Sequence, residues 1–278
     1  MPSILFGLAS ALSWGAGDFT GGLVSRRIGA MRATLYVQAV GLLPLLVVAL
    51  LTGQISMSLT DWLWCGSAGV FGSLGILALY RALAGGQMST AAPIAALISA
   101  SLPVIVGTLM DGLPSGFTLV GFIFALIAIW FVSQAGNNNG LRLQLRELIF
   151  PFLAGMGIGA YFIFVHLGSQ TSVFAPLVAV RGAGALTLMI FAARTGELQL
   201  PSRSIFSLVV LNTTFDIGGS FFYVLAGQAG RMDIAGVLSS LYSGATVLLA
   251  WFILREKISR KQWAGIVVSL AAIILISL

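Results

Sequence analysis

The chain is dominated by apolar stretches of about twenty residues, the length that an α-helix needs to cross the hydrocarbon core of a bilayer. Ten such stretches follow one another along its 278 residues. They cover 3–24, 33–52, 61–83, 88–110, 116–135, 148–168, 174–193, 204–227, 233–254 and 260–278. Short polar or glycine-rich segments separate them, and the alternating pattern of barrel strands is absent. The sequence therefore predicts an all-α polytopic membrane protein with ten transmembrane helices.

Composition excludes most other classes of protein. Hydrophobic residues make up 58% of the chain and charged residues 8%, against about 25% charged residues in a typical soluble domain. Cys65 is the single cysteine and His166 the single histidine, which argues against disulfides and against a zinc site. Phosphate-binding and catalytic metal motifs are absent from the sequence. We therefore expect no enzymatic activity, no metal and no cofactor.

Basic residues collect in or beside the loops that follow the odd-numbered helices. They are Arg26, Arg27, Arg32, Arg81, Arg142, Arg146, Arg194, Arg203, Arg255, Lys257, Arg260 and Lys261. Among the loops on the other side, only Arg231 is basic. The positive-inside rule then places the loops after odd-numbered helices in the cytoplasm and both termini on the other side of the membrane. The membrane is expected to be the cell inner membrane. These basic loop residues, which orient the helices, account for the net charge of +6. The positive charge therefore does not indicate nucleic-acid binding, and we expect no nucleic-acid partner.

The second half of the sequence repeats the first at an offset of 144 residues. Gly15-Ala16 aligns with Gly159-Ala160, Gly75 with Gly219 and Ser99 with Ser243, without gaps. This predicts a five-helix repeat over 1–135, a connecting loop over 136–147 and a second repeat over 148–278. Because five is odd, the second repeat enters the membrane from the opposite face. Inverted repeats of this kind are typical of secondary transporters.

Three charged residues fall within apolar stretches, namely Asp18, Arg181 and Asp216. A charge facing lipid at this depth costs on the order of 2.5–3.5 kcal/mol by insertion scales, so we expect all three to face the interior of the bundle. They are candidates for proton coupling or substrate binding, because a desolvated carboxylate can take up a proton. The alternative is a structural ion pair between Arg181 and Asp216.

Polar and aromatic side chains near these charges are candidates for substrate binding. Trp14 shares a helix face with Asp18, and Asn212, Ser220 and Tyr223 share one with Asp216. The other candidates are Tyr80, Ser99, Ser239, Tyr242 and Ser243. For the serines the alternative role is close helix packing, and for Tyr80 it is anchoring at the membrane interface.

Several segments resemble EamA-type domains of the drug/metabolite transporter superfamily. Leu254 to Gly265 is similar to the last-loop signature of these domains, and Tyr80-Arg81-Ala82-Leu83 to their pattern between helices 3 and 4. Trp14-Gly15 resembles the motif of their first helix, and Arg181 stands where the family often has an arginine. The resemblance covers both repeats. It implies a ten-helix transporter without enzymatic activity.

The resemblance and the charged residues together predict a secondary transporter. We expect it to export a small metabolite such as an amino acid, driven by the proton gradient, by alternating access about a cavity between the two repeats. An uncoupled facilitator or channel-like exporter and a membrane scaffold without transport are the alternatives. The expected partners are a small-molecule substrate and the lipid bilayer. The chain is expected to act as a monomer or a homodimer.

Overall fold

The computed structural model describes residues 1–84, 88–133, 145–199, 203–255 and 259–277. Within these ranges the chain is all-α. The helices are α1 (Pro2–Ile28), α2 (Ala30–Leu51), α3 (Leu59–Ala84), α4 (Met88–Asp111), α5 (Gly116–Ser133), α6 (Leu145–Gly168), α7 (Phe174–Thr195), α8 (Arg203–Gln228), α9 (Met232–Ser239), α10 (Tyr242–Leu254) and α11 (Arg260–Ser277). Most of the expected 136–147 loop lies outside the described residues, so its boundaries remain a prediction.

The ninth predicted helix differs from expectation. The sequence predicts one helix over 233–254, but α9 ends at Ser239 and α10 begins at Tyr242. At the break, the N–H of Leu241 donates to the carbonyl of Leu238 at 3.2 Å, a bond across three residues instead of four. The predicted ninth span is present over Met232–Ile253, but in the described ranges it consists of two helical segments instead of one continuous helix.

Contacts around the break explain why the sequence did not reveal it. Neither Ser240 nor Leu241, which stand at the break, is a residue that interrupts helices strongly. The Ser240 hydroxyl donates to the carbonyl of Gly236 at 2.8 Å, which bends the chain locally. Gly236 itself lies against Pro103 of α4, where a Cβ atom would be 2.7 Å from the Pro103 ring. The break thus depends on tertiary packing.

The helices pair across the two repeats. α1 packs on α8, while α6, the repeat mate of α1, packs on α3, the repeat mate of α8. The mates α2 and α7 contact each other, as do α5 and α11. This exchange of partners is the arrangement expected of two inverted repeats related by a pseudo-two-fold axis in the membrane plane.

Hydroxyl groups fasten α1 to α8. Three serines of α1 donate to main-chain carbonyl oxygens of α8 at 2.8–2.9 Å. The pairs are Ser3 with Ala226, Ser10 with Gly219 and Ser13 with Phe215. Inside a membrane bundle, where no water competes, such bonds stabilise helix association by about 0.6 kcal/mol on average.

Glycines bring other helices into close contact. A Cβ atom on Gly157 of α6 would lie 2.6 Å from the carbonyl oxygen of Phe71 and 2.7 Å from the Cα of Gly75, both in α3. A Cβ atom on Gly15 of α1 would lie 2.8 Å from the carbonyl oxygen of Tyr242 in α10. Small residues at these positions are therefore required by the packing.

The outer surface of the bundle is apolar. Large hydrophobic side chains such as Leu51, Leu109 and Phe252 are exposed on it. Seven of the described spans are long and apolar enough to cross a membrane by length and composition. A surface of this kind is compatible with lipid, because the hydrocarbon core accepts apolar side chains without cost.

Candidate functional site

A cavity lies between helices of both repeats. It holds about 560 Å³ of space not occupied by atoms, part of which opens out of the bundle. Most of its wall is apolar. The polar lining side chains are Asp18, Gln38, Ser73, Arg181, Asp216 and Ser220, and the aromatic ones are Trp14, Tyr161, Phe162 and Tyr242.

One wall carries an ion pair between Arg181 of α7 and Asp216 of α8, through Nη2 and Oδ2. Arg181 Nη1 also donates to Oε1 of Gln38 at 2.6 Å, and Gln38 Nε2 donates to the hydroxyl of Ser73 at 2.6 Å. The Arg181 side chain is 3% exposed and that of Asp216 22% exposed. The guanidinium is thus held by a charge and an amide, which supports the structural interpretation of this pair.

The carboxylate of Asp18 faces the cavity from α1 and is buried. It makes no hydrogen bond or ion pair with any residue in the described part of the chain. The α8 backbone passes close by, since a Cβ atom on Gly17 would lie 3.7 Å from the main-chain nitrogen of Asp216. A buried carboxylate without a partner is costly while it is charged, so this group favours a proton, a bound cation or water beside it.

Two tyrosine hydroxyls at the cavity are also without partners. Tyr161 of α6 and Tyr242 of α10 are both buried, and within the described ranges neither hydroxyl meets a partner at hydrogen-bonding geometry. The hydroxyls of Ser220 and Ser99 lie near them and donate to carbonyls of their own helices, at 2.9 and 3.1 Å, so each serine oxygen can still accept a bond from the neighbouring phenol. Asp18 is therefore the charged group of the cavity without a partner among the described residues.

Trp14 belongs to an aromatic cluster beside Asp18. Its ring centroid lies 5.5 Å from that of Phe162, 5.8 Å from that of Tyr223 and 6.0 Å from that of Tyr161. Tyr223 lies behind the cavity wall, and its hydroxyl donates to the carbonyl of Phe162 at 2.7 Å. Trp14 thus lines the cavity, as expected for a binding residue, whereas Tyr223 supports the wall.

Tyr80 and Asn212 form a second layer next to Asp18. Asn212 donates to the Tyr80 hydroxyl at 3.4 Å and accepts from the hydroxyl of Thr20 at 3.3 Å. Tyr80 is 3% exposed and packs on Gly21 of α1. Its burial contradicts the alternative of an interfacial anchor. Neither Tyr80 nor Asn212 lines the cavity.

The three predicted serines lie close to the break between α9 and α10 or opposite it. Ser99, Ser239 and Ser243 are all buried, and none of them lines the cavity. The Ser239 hydroxyl has no partner among the described residues. The structure thus favours packing for Ser99 and Ser243, while their role in binding stays a prediction.

Three polar residues of the site were not among the sequence candidates, namely Gln38, Ser73 and Tyr161. Each is a polar residue inside an apolar stretch, so a signal existed in the sequence. Only the rotation of each helix about its axis decides whether such a residue faces the cavity or a neighbouring helix, and that rotation cannot be read from composition.

A second ion pair lies on the side of the bundle that carries the chain termini. Arg231, between α8 and α9, pairs with Asp233 at 2.8 Å and donates to the carbonyl oxygens of Asp111 and Gly112 at the end of α4. The hydrogen bonds to the buried Asp233 carboxylate raise the pKa of Arg231 above its ordinary value. Arg231 therefore ties the α8–α9 connection to the α4–α5 connection, and it stays charged at any physiological pH.

Spanning helices in two inverted repeats, with a cavity between them that carries a few charged and polar side chains, define the class of multi-pass membrane transporters. The model of the EamA-like transporter family matches residues 1–134 and 145–278, and the chain belongs to this family. The protein is thus a membrane transporter of the drug/metabolite transporter superfamily, with a small-molecule substrate and a lipid environment. Its family consists of transporters, not of enzymes.

A solved structure described only as the crystal structure of a protein shares this fold. It superposes with a TM-score of 0.79 over 98% of this chain and 95% of its own, at 16% sequence identity. No curated protein matches the chain. Within the described residues, no group of three or more histidine, cysteine or carboxylate side chains is placed to hold a metal ion.

Proposed function

We propose that the protein is a proton-coupled secondary transporter of the cell inner membrane that exports a small metabolite by alternating access to the cavity. An amino acid is the substrate class suggested by the sequence. The observation that carries the proposal is Asp18, a buried and unpartnered carboxylate at a cavity shared by the two repeats. A transporter coupled to protons needs such a group, because its charge must change during the cycle.

The packing favours Asp18 over Asp216 as the coupling carboxylate. Asp216 is neutralised by Arg181, so a proton would have to break an ion pair to reach it. Asp18 has no counter-ion to displace. The titratable groups that surround Asp18 are Asp216 and Arg181, Tyr80 on α3 and Tyr242 on α10.

The experiment uses proteoliposomes with an imposed pH gradient and an isotopically labelled mixture of amino acids and their decarboxylated amines. We expect protein-dependent accumulation that an uncoupler abolishes and that Asp18→Asn slows by about tenfold or more. Protein-free vesicles correct for passive movement of the amines. Asp61→Asn is the matched control, because Asp61 lies in the first turn of α3 and outside the cavity.

Other outcomes have distinct meanings. Saturable flux that survives the uncoupler would identify a facilitator instead of a coupled transporter. Absence of any saturable flux would favour the scaffold. If Asp18→Asn accumulates solute as well as Asp61→Asn does, then Asp18 is not the coupling group.

A further inference from the structure

The charges at the cavity do not balance. Three ionisable acidic or basic side chains line it among the described residues, namely Asp18, Arg181 and Asp216. Arg181 and Asp216 cancel each other, and Asp18 leaves the cavity with a net charge of −1 whenever it is ionised. A solute that carries one positive charge neutralises this site, whereas a zwitterion leaves the net charge unchanged and an anion worsens it.

Among the described residues that line the cavity, Arg181 is the basic one, and it is not free to receive a carboxylate. Arg181 directs one terminal nitrogen to Asp216 and the other to Gln38, and its side chain is 3% exposed. Its positive charge is already compensated by Asp216, and little of its surface is accessible, so a solute carboxylate finds no uncompensated cation there.

The remaining lining suits the two parts of an amphipathic amine. Tyr161 and Tyr242 line the same cavity, and a phenol oxygen can accept a hydrogen bond from an ammonium group. The indole of Trp14, four residues from Asp18 on the same face of α1, attracts a cation through its ring. Ile76, Val180 and their apolar neighbours leave room for a hydrophobic body.

We propose that the solute of this cavity is an organic monocation, an amine with an apolar body and without a carboxylate, whose ammonium group binds Asp18. This inference rests on the proposed transport function, but it replaces the amino acid suggested by the sequence with an amine that has no carboxylate. It separates this cavity from one built for amino acids, in which the carboxylate of the solute also needs a positively charged or main-chain partner.

The test compares three probes that share one apolar body. They are 2-phenylethylamine, phenylalanine and 3-phenylpropionate, which carry at neutral pH a positive charge, both charges and a negative charge. Binding to the purified protein is measured by isothermal titration calorimetry in one detergent. We expect 2-phenylethylamine to bind about tenfold or more tightly than either of the others, since losing one partner of a desolvated charge pair costs at least that factor. In Asp18→Asn this preference should disappear.

A second measurement needs no variant and so does not depend on the folding of Asp18→Asn. A hydrophobic carbodiimide is reacted with the wild-type protein, and modification at each carboxyl group is read by mass spectrometry. We expect Asp18 to react faster than the ion-paired Asp216, and 2-phenylethylamine but not 3-phenylpropionate to protect it.

The outcomes separate this inference from the transport proposal. Tight, Asp18-dependent binding of the amine without flux in proteoliposomes would refute transport and leave the site intact. Equal or tighter binding of phenylalanine or 3-phenylpropionate would overturn the monocation inference, as would failure of all three probes to bind. Protection of Asp18 by all three probes alike would also overturn it.

Discussion

The ion pair between Arg181 and Asp216 gives a quantitative prediction about stability. Asp216→Asn removes the charge partner of a guanidinium that is 3% exposed and leaves it only the Gln38 amide. Breaking a buried ion pair from one side costs about 3–5 kcal/mol. Because Asp216 is 22% exposed, water can partly solvate the arginine left behind, and we expect the lower end, about 3 kcal/mol.

This free energy corresponds to a fall in Tm of roughly 6–12 °C, at about 2–4 °C per kcal/mol for a chain of this size. Removing both charges should be far less damaging, because an apolar pair of similar volume leaves nothing unpaired. We therefore expect the double variant Arg181→Met with Asp216→Leu to recover most of the loss. Cys65 offers the assay, since it is the only cysteine and is fully buried. A thiol-reactive dye then fluoresces only when the protein unfolds.

Two results would refute this reasoning. If Asp216→Asn melts within about 1 °C of the wild type, the ion pair does not hold α7 to α8. If the double variant loses as much stability as the two single variants together, the residues act independently and their contact carries no coupling energy. Asp61→Asn, in the same detergent, controls for the loss of a carboxylate elsewhere.

Three further predictions use the same assay. Gly15→Ala should destabilise the protein by about 1–3 kcal/mol, because its new Cβ meets the α10 backbone. Gly244→Ala should leave the stability unchanged or raise it by up to about 1 kcal/mol, because a Cβ atom there has no neighbour within 4 Å. Arg231→Gln should cost about 3 kcal/mol by leaving the Asp233 carboxylate buried without its charge partner. Ser10→Ala should cost about 0.5–1 kcal/mol by removing one hydrogen bond between α1 and α8.

Each of these predictions has its own contrary outcome. Equal melting of the two glycine variants would mean that α1 and α10 separate without cost. For Arg231→Gln, adding Asp233→Asn should restore stability, and a double variant that melts no higher than the single one would contradict the ion-pair explanation. For Ser10→Ala, the control is Thr214→Val, whose hydroxyl bonds only within its own helix. A larger loss for the control would show that such hydroxyl bonds do not fasten the helices.

Much of the fold follows from the sequence, because span length and the 144-residue offset are properties of the chain itself. The break at Ser240-Leu241 is different. Its repeat mate in α4 stays one continuous helix from Met88 to Asp111 although it contains prolines, which sequence rules favour as the sites of bending. Helix propensity does not predict this difference, because contacts with neighbouring helices help to decide which main-chain hydrogen bonds form.

The site was predictable in part for a similar reason. A charge in an apolar span must face inward, so Asp18, Arg181 and Asp216 could be named from the sequence. Which two of them pair depends on helix rotation and on side-chain reach. Nothing in the sequence distinguishes the ion-paired Asp216 from the unpaired Asp18, although their roles in the proposed cycle differ.

The serine contacts between α1 and α8 have a mechanical consequence. These helices come from different halves of the gene product, yet they are bonded at three levels along their length. Any rocking motion that preserves those bonds must move α1 and α8 together as one rigid unit, along with the helices that pack most closely on them. Each moving unit therefore contains helices from both repeats, and neither repeat moves as a rigid body by itself.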